Sequence, residues 1–265
     1  MTIHPTAIID SGATIDSSAT IGAYTIIEKD VVIGADTEIG AHTVISGCTT
    51  IGQRNRIHSF ASIGAPPQDL KYQGEDTRLV IGDDNLIREY VSIHRGTVTG
   101  RGVTTLGNGN LIMAYSHIAH DCVVGNQVIM ANGGTLGGHV QVNDHVNLGG
   151  MVAIHQFSRV GAYSYIGGMS GISKDVPPFV IATGIRDQLR ITGINKIGLR
   201  RSGFAAEDIN TLSHAFVTIF KTEALLSEAL DKVLLDFPDC QLVLDLVAFM
   251  KAPNRFGVVR KFDVE

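Results

Sequence analysis

The chain has 265 residues and 28.3 kDa, is 44% hydrophobic and only 18% charged, and sets 21 Lys+Arg against 26 Asp+Glu for a formal net charge of -5. This composition excludes a disordered chain and a generally basic nucleic-acid binder. No apolar run approaches the ~20 residues of a transmembrane segment, and the opening MTIHPTAIID lacks the basic-then-apolar form of a signal peptide, so a cytoplasmic location is expected.

From the first residues the chain keeps a period of six. Isoleucine returns at Ile3, Ile9, Ile15, Ile21, Ile27, Ile33, Ile39, Ile45, Ile51, Ile57 and Ile63, and the register resumes at Ile81, Ile87 and Ile93. After a 13-residue step it runs from Leu106 through Ile118, Leu136, Ile154 and Ile166 to Ile172. Such a lattice fits neither a helix of period 3.6 nor ordinary strand alternation. Four residues after each anchor comes a small or β-branched side chain, such as Ala13, Ala19, Thr25, Val31 or Thr43. One residue after it, Gly or Asp is common, as at Asp10, Asp16, Gly22, Gly34 and Gly40, read here as the source of the turn conformations. The pattern predicts a parallel β-helix of hexapeptide repeats, three per triangular coil, with coils stacked at the ~4.8 Å strand spacing.

Two stretches leave the lattice: residues 65–80, with Pro66-Pro67, and residues 97–105. Loops thrown from a rigid solenoid are where function tends to sit. Beyond Ile172 come Pro177-Pro178 and Gly184, and from about Asn195 apolar residues recur at helical spacing, as in Leu212, Phe216, Ile219 and Phe220. The expected fold class is mainly β, with a β-helix over 1–184 and a C-terminal α-helical domain over 185–265 that caps one end.

Of ten histidines, six lie between positions 94 and 155. His117 and His120 flank the anchor Ile118; His139 follows His120 by 19 residues and His155 follows His139 by 16, each about one coil on. If the second loop adds seven residues to a coil, His94 comes into phase with His155. The spacing predicts His94, His120, His139 and His155 along one outer groove, with Asp121 beside His120 to orient an imidazole base. His4, His42, His58, His145 and His214 read as solvated turn residues. Cys122 occupies a small inward site and reads as core; neither a disulfide framework nor a thiolate zinc site is expected, since the three cysteines form no CxxC pair. Glycines 133, 134, 137 and 138 either make tight turns or bare a backbone N–H toward a substrate carbonyl. The basic run Arg186, Arg190, Lys196, Arg200 and Arg201, with Asp187 its single acid, reads as a solvated face or as a site for a phosphate or acidic partner.

The motifs QDLKY (68–72), IHRGT (93–97), HIAHDC (117–122), NGGTLGGHV (132–140), IHQF (154–157), DVPPFVIA (175–182) and GLRRSGF (198–204) together resemble the acyl-[acyl-carrier-protein]–UDP-N-acetylglucosamine O-acyltransferases, which begin lipid A synthesis. The resemblance covers essentially the whole chain. It implies a left-handed helix, a homotrimer with its groove between subunits, and two partners: an acyl carrier protein bearing a 3-hydroxyacyl chain, and UDP-N-acetylglucosamine. It implies His120 as general base, Asp121 as its support and Gly138 N–H as oxyanion donor, with no metal or other cofactor. Asp69, Lys71, His94, His117, His139, His155, Gln156, Asn195 and Arg201 match substrate-binding positions, and Gly168 the position that measures the acyl chain, where a glycine implies a long donor. The chain departs from the family at Ile197, where an acidic residue is common, and at Ser202, where a second arginine is. A γ-class carbonic anhydrase with three zinc-bound histidines, a related acyltransferase acting on a 3-amino sugar nucleotide, and a non-catalytic scaffold are the competing readings.

Overall fold

The computed structural model describes residues 2–260. The hexapeptides form strands of two to four residues that build three faces of a prism, with 11, 9 and 8 strands among the described residues. Successive coils pair in parallel and in strict register, Ile3 with Ile21, Ile9 with Ile27 and Ile15 with Ile33. From Ile21 onward the anchors are all but fully buried, forming inward columns of Ile, Leu and Val. The β-helix is thus fixed by side-chain period, its left hand being the one the resemblance implies: each anchor removes its apolar surface from water, at roughly 1.5–3 kcal/mol for a fully buried large aliphatic residue.

The turns are made differently from the sequence expectation. The glycines that follow the anchors are not generally the left-handed residues. At Gly22 and Gly40 a Cβ would stand 2.6 Å from the backbone nitrogen of the next coil, so glycine is there because the backbones approach closely. The left-handed conformation belongs to the residue two positions later, mostly not glycine: Tyr24, His42, Phe60, Tyr90 and Tyr115 on one edge, Asp121, His139 and Phe157 on another. Many of these residues donate their N–H to a carbonyl of the coil below, as His42 does to Ala23 (2.9 Å), and neighbours stack. The rings of Tyr24, His42, Phe60, Tyr90 and Tyr115 follow one another at 5.0–5.1 Å. His42 is therefore a stacked ring rather than a merely solvated one, and His145 likewise lies on Tyr163 at 4.4 Å. Inside the prism, Asn55, Asn85 and Asn110 replace the small apolar residue and satisfy one another in an amide ladder, at 2.9 and 2.8 Å.

Both loops leave the same edge, where the second face turns into the third. Residues 66–77 lie between the strands Ser62–Ala65 and Arg78–Ile81, and residues 95–102 between Ser92–His94 and Val103–Leu106. The insertions leave register intact: Ile51 pairs with Ile81, and Ile81 with Leu106.

Past the last repeat, the strand Val180–Thr183 extends the first face in parallel, and Arg190–Ile194 adds to it antiparallel and closes its edge. Residues 185–194 therefore hold a 3-10 turn and a strand, and the helices begin at Lys196 rather than at 185. They are α1 (Lys196–Arg201), α2 (Ala206–Phe220), α3 (Leu226–Asp236) and α4 (Gln241–Lys251). The last three pack on one another through Leu212, Phe216, Leu230, Val233, Leu246 and Met250, in a core continuous with that of the β-helix. Residues 261–265 of the expected helical domain lie outside the described residues. Among the described residues no helix is long and apolar enough to cross a membrane.

Candidate active site

The edge that carries both loops also carries the histidines. Ile93 pairs with Ile118, Ile118 with Leu136 and Leu136 with Ile154, so His94 and His155 occupy equivalent positions three coils apart, as the seven-residue insertion requires. The groups form two close pairs rather than one even stripe. His94 meets His117 edge to face at 4.9 Å, and His120 meets His139 edge to face at 5.1 Å. His155 is exposed and stands edge-on to Phe256, 5.1 Å away.

Asp121 is the fixed point of the site. It is 1% exposed, sits at φ +61°, and donates its N–H to the Thr104 hydroxyl at 2.7 Å. The second loop wraps its carboxylate: the Thr97 hydroxyl donates at 2.6 Å, the Thr97 N–H at 3.1 Å and the Arg101 N–H at 2.8 Å. His120 Nδ1 completes the set at 2.9 Å from Oδ2. Burial alone would raise the Asp121 pKa, but the bonds from Thr97, His120 and Arg101 prevail and hold it below the usual carboxylate value. An ionised Asp121 can only accept, so in the neutral form of the His120 imidazole Nδ1 carries the proton and Nε2 the lone pair. Gly100 makes this possible, because a Cβ there would lie 2.4 Å from Asp121 Cγ.

Gly138 faces the other side of the same imidazole. A Cβ at 138 would stand 2.6 Å from Cε1 and 2.7 Å from Nε2 of His120, so glycine is required for the ring to keep its place. Among the described residues the Gly138 N–H has no acceptor. His139, one coil up, donates its backbone N–H to the His120 carbonyl at 2.9 Å and lies flat on Phe157 at 4.4 Å.

Three neighbouring histidines are pushed below the ordinary imidazole value. His94 is driven down to about 4, by burial first and then by His117 and His120. His117, whose Nδ1 meets the Ser92 hydroxyl at 2.7 Å, is lowered by burial and by His120. His139 is lowered by burial; the Asp121 and Asp69 charges oppose this, while His120 and Arg255 reinforce it. The Cys122 thiol is fully buried, bonds the Gly137 carbonyl and is pushed up to about 12, which makes it core rather than nucleophile.

His120, Asp121 and His139 bring one potential metal-ligating atom each within 4.8 Å of one another. The donor chemistry does not favour an ion there: both Asp121 oxygens already accept hydrogen bonds from the loop, which is how a carboxylate that orients an imidazole is built.

The first loop adds Asp69 and Lys71. Asp69 caps the loop through the Lys71 N–H at 2.9 Å, and the two loops meet around a small cleft lined by Asp69, Lys71, Tyr72 and Thr97. Arg95 ties this loop to the coil by donating to the Tyr72 hydroxyl at 2.7 Å and to the Gly64 carbonyl at 3.2 Å. Gln156 is exposed beside His155.

Three expected residues lie apart within a single chain. Gly168 is at the edge where the first face turns into the second. Asn195 caps α1, accepting from the Gly198 N–H at 3.0 Å and donating to the Tyr163 carbonyl at 2.9 Å; Arg201 is exposed at the end of that helix. The basic run divides as well: Arg186, with Lys174 and Arg260, lines a cavity of about 380 Å³ at the top of the histidine edge. Sequence reading missed Thr97, Gly100, Phe157 and Arg255. The first two sit in or beside the quoted IHRGT motif and were legible as loop residues, but nothing in the sequence marks Arg255.

Residues 175–259 match the second domain of the UDP-N-acetylglucosamine O-acyltransferases, and residues 104–138 match the bacterial transferase hexapeptide repeat. The acyl-[acyl-carrier-protein]–UDP-N-acetylglucosamine O-acyltransferase of Verminephrobacter eiseniae is 49% identical over 263 residues, covering 97% of this chain and 99% of its own. The chain belongs to the acyl-[acyl-carrier-protein]–UDP-N-acetylglucosamine O-acyltransferase family. The Syntrophobacter fumaroxidans enzyme of that family is 48% identical, over 98% of this chain and all of its own. Solved relatives agree in fold: the UDP-N-acetylglucosamine O-acyltransferase of Moraxella catarrhalis superposes with a TM-score of 0.90 at 46% identity, covering 98% of this chain and all of that one. The UDP-N-acetylglucosamine acyltransferase of Francisella novicida gives 0.93 at 36%, covering 99% and 94%. The chain is an acyltransferase of lipid A biosynthesis, and this membership favours neither a zinc hydratase nor a passive scaffold.

Proposed function

We propose that this chain transfers an (R)-3-hydroxyacyl group from acyl carrier protein to the 3-hydroxyl of UDP-N-acetylglucosamine. Nε2 of His120 takes the proton of the sugar hydroxyl as its oxygen attacks the thioester carbonyl. The tetrahedral oxyanion accepts the Gly138 N–H. On collapse the C–S bond breaks, the carrier thiolate leaves and is protonated from His120, and the ester remains on the sugar. Asp121 holds the imidazole in the required tautomer and balances its transient charge. The observation that carries this reading is the bond between His120 Nδ1 and Asp121 Oδ2, at 2.9 Å, with Nε2 left facing Gly138. The thioester is already activated, so the route needs neither a metal nor a covalent enzyme intermediate.

Asp69, Lys71, His94, His117, His139, His155 and Gln156 would bind and orient the substrates along this edge, with Asn195 and Arg201 holding the nucleotide. Gly168, Asn195 and Arg201 stand away from His120 within one chain, which supports a groove completed between copies, and the family resemblance implies that the assembly is a homotrimer. The cation-lined cavity at Lys174, Arg186 and Arg260 suits an anionic group of a substrate. A cytoplasmic location follows from the two substrates. The named acceptor of the relatives favours the 3-hydroxyl over a 3-amino sugar nucleotide. Mass spectrometry after incubation with 3-hydroxyacyl carrier protein tests the reading. A hydroxylamine-labile ester on UDP-N-acetylglucosamine, with stoichiometric carrier thiol released, is expected; product formed only on the 3-amino sugar, as an amide, would contradict it.

A further inference from the structure

After α4 the chain turns back across the histidine edge. The Asp175 N–H donates to the Gly257 carbonyl at 3.0 Å, and the Val259 N–H returns to the Asp175 carbonyl at 2.9 Å. Val259 is buried at 2% exposure, and Asn254 caps the turn through the Gly257 N–H at 2.7 Å. Arg260 ties the far end of the segment to the Ala224 carbonyl at 2.7 Å. Residues 254–260 thus form a strap fixed by its own backbone, and two adjacent side chains of it meet rings of the candidate site. Phe256 stands edge-on to His155, and the guanidinium of Arg255 lies over Phe157, 4.0 Å from its centroid.

Phe157 is not an isolated surface ring. It is stacked on His139 with 5° between the planes, and His139 meets His120 at 90°. A continuous column therefore runs from Arg255 through Phe157 and His139 to the imidazole proposed as base. A cation on a ring face holds that ring by electrostatic attraction, and an imidazole pressed between a fixed phenyl and a second imidazole loses its freedom to rotate. Among the described residues Arg255 has no carboxylate partner; on this edge its guanidinium faces the aromatic rings, and its charge also acts on His139.

Resting on the acyl-transfer reading above, we propose that Arg255 is a positioning residue of this site: it clamps Phe157 and thereby fixes the ring of His139 against His120. Arg255 does not touch the reacting atoms; it acts through two rings.

The test compares Arg255→Met, which keeps an apolar stem without the planar cation, with Phe157→Leu and the double variant in the intact enzyme, each checked for a thermal midpoint close to wild type. Wild-type turnover in the same assay secures the underlying reading separately. The expected result is a fall in kcat of about 5- to 10-fold for each single variant, with both KM values within about twofold, and a double variant no slower than the worse single. In substrate-free enzyme labelled at the histidine rings, the His139 Hε1 resonance, shifted upfield by Phe157, moves downfield in Arg255→Met. Arg255→Lys, lacking the flat guanidinium, restores only part of kcat. An unchanged kcat, a rise confined to KM, a double variant whose losses multiply, or a His139 resonance that stays in place would each overturn the proposal.

Discussion

His120 Nδ1 lies 2.9 Å from Asp121 Oδ2, a contact between chain neighbours that exists because Asp121 adopts a left-handed backbone at φ +61°. That conformation drops the carboxylate behind the imidazole and into the second loop, where Thr97 and Arg101 complete its coordination.

Asp121→Asn replaces one accepting oxygen with an amide donor that must face another donor, a hydroxyl or an N–H. A buried clash of donors costs about 1–3 kcal/mol, and loss of a residue orienting a functional imidazole costs on the order of 10- to 100-fold in activity. A lowered thermal midpoint and a lowered kcat are expected together. Wild-type turnover from this variant would remove Asp121 from its supporting role.

Glycines 100 and 138 press on opposite sides of this pair. In Gly138→Ala the added methyl meets the His120 ring itself, and in Gly100→Ala it meets the Asp121 carboxylate. Both variants should lose at least about tenfold in kcat, because a displacement near 1 Å is costly in a positioned site. Gly102→Ala, whose Cβ would meet nothing within 4 Å, is the control: its strain is that of a left-handed φ alone, and its kcat should fall far less.

His94 gives a dependence of stability on pH. Unfolded, it titrates near the ordinary 6.5; folded, it is held down at about 4. Above pH 6.5 both states are neutral and the difference vanishes. As pH falls from 6.5 toward 4 the unfolded chain takes up a proton that the folded chain refuses, so stability is lost, by up to about 3 kcal/mol per chain. His117 and His139, also lowered, act in the same direction. Melting curves should show a thermal midpoint falling between pH 6.5 and 4, and His94→Leu should flatten part of that slope. A slope unchanged in the variant would exclude His94 as its source.

The period of six made the prism, its loops and the spacing of the histidines readable before any coordinates, because each anchor is a buried side chain repeating with the coil. The phase of His94 and His155 followed from counting residues around one insertion. Turn conformations were misread, since glycines after the anchors such as Gly22 answer a close approach between coils while Tyr24 and its equivalents carry the left-handed φ. The pairing of His94 with His117 was also out of reach: it depends on which ring atoms meet, and position along a repeat does not decide that. Arg255 was hidden for a stronger reason. It reaches Phe157 through a return of the chain after α4, about a hundred residues away in sequence.

Gly168, which the family resemblance matches to the position that measures the acyl chain, makes donor length testable. A Cβ there would stand 3.3 Å from the Gly150 carbonyl oxygen and 3.7 Å from its nitrogen, a close contact with the coil below that a small backbone shift must relieve, and a larger side chain would project from the edge. Wild type should prefer a donor of about 14 carbons over one of about 10, and Gly168→Met should reverse the order, within the discrimination of about 10- to 200-fold per step that apolar pockets give. A preference for the shorter donor in wild type would contradict the role given to Gly168.

The most direct measurement is kcat of His120→Ala with 3-hydroxyacyl carrier protein and UDP-N-acetylglucosamine, in protein confirmed as folded. Removal of a general base predicts a loss of at least about 100-fold, with substrate binding largely retained. Turnover within a few-fold of wild type would contradict the account, for the proton of the sugar hydroxyl would then have another acceptor.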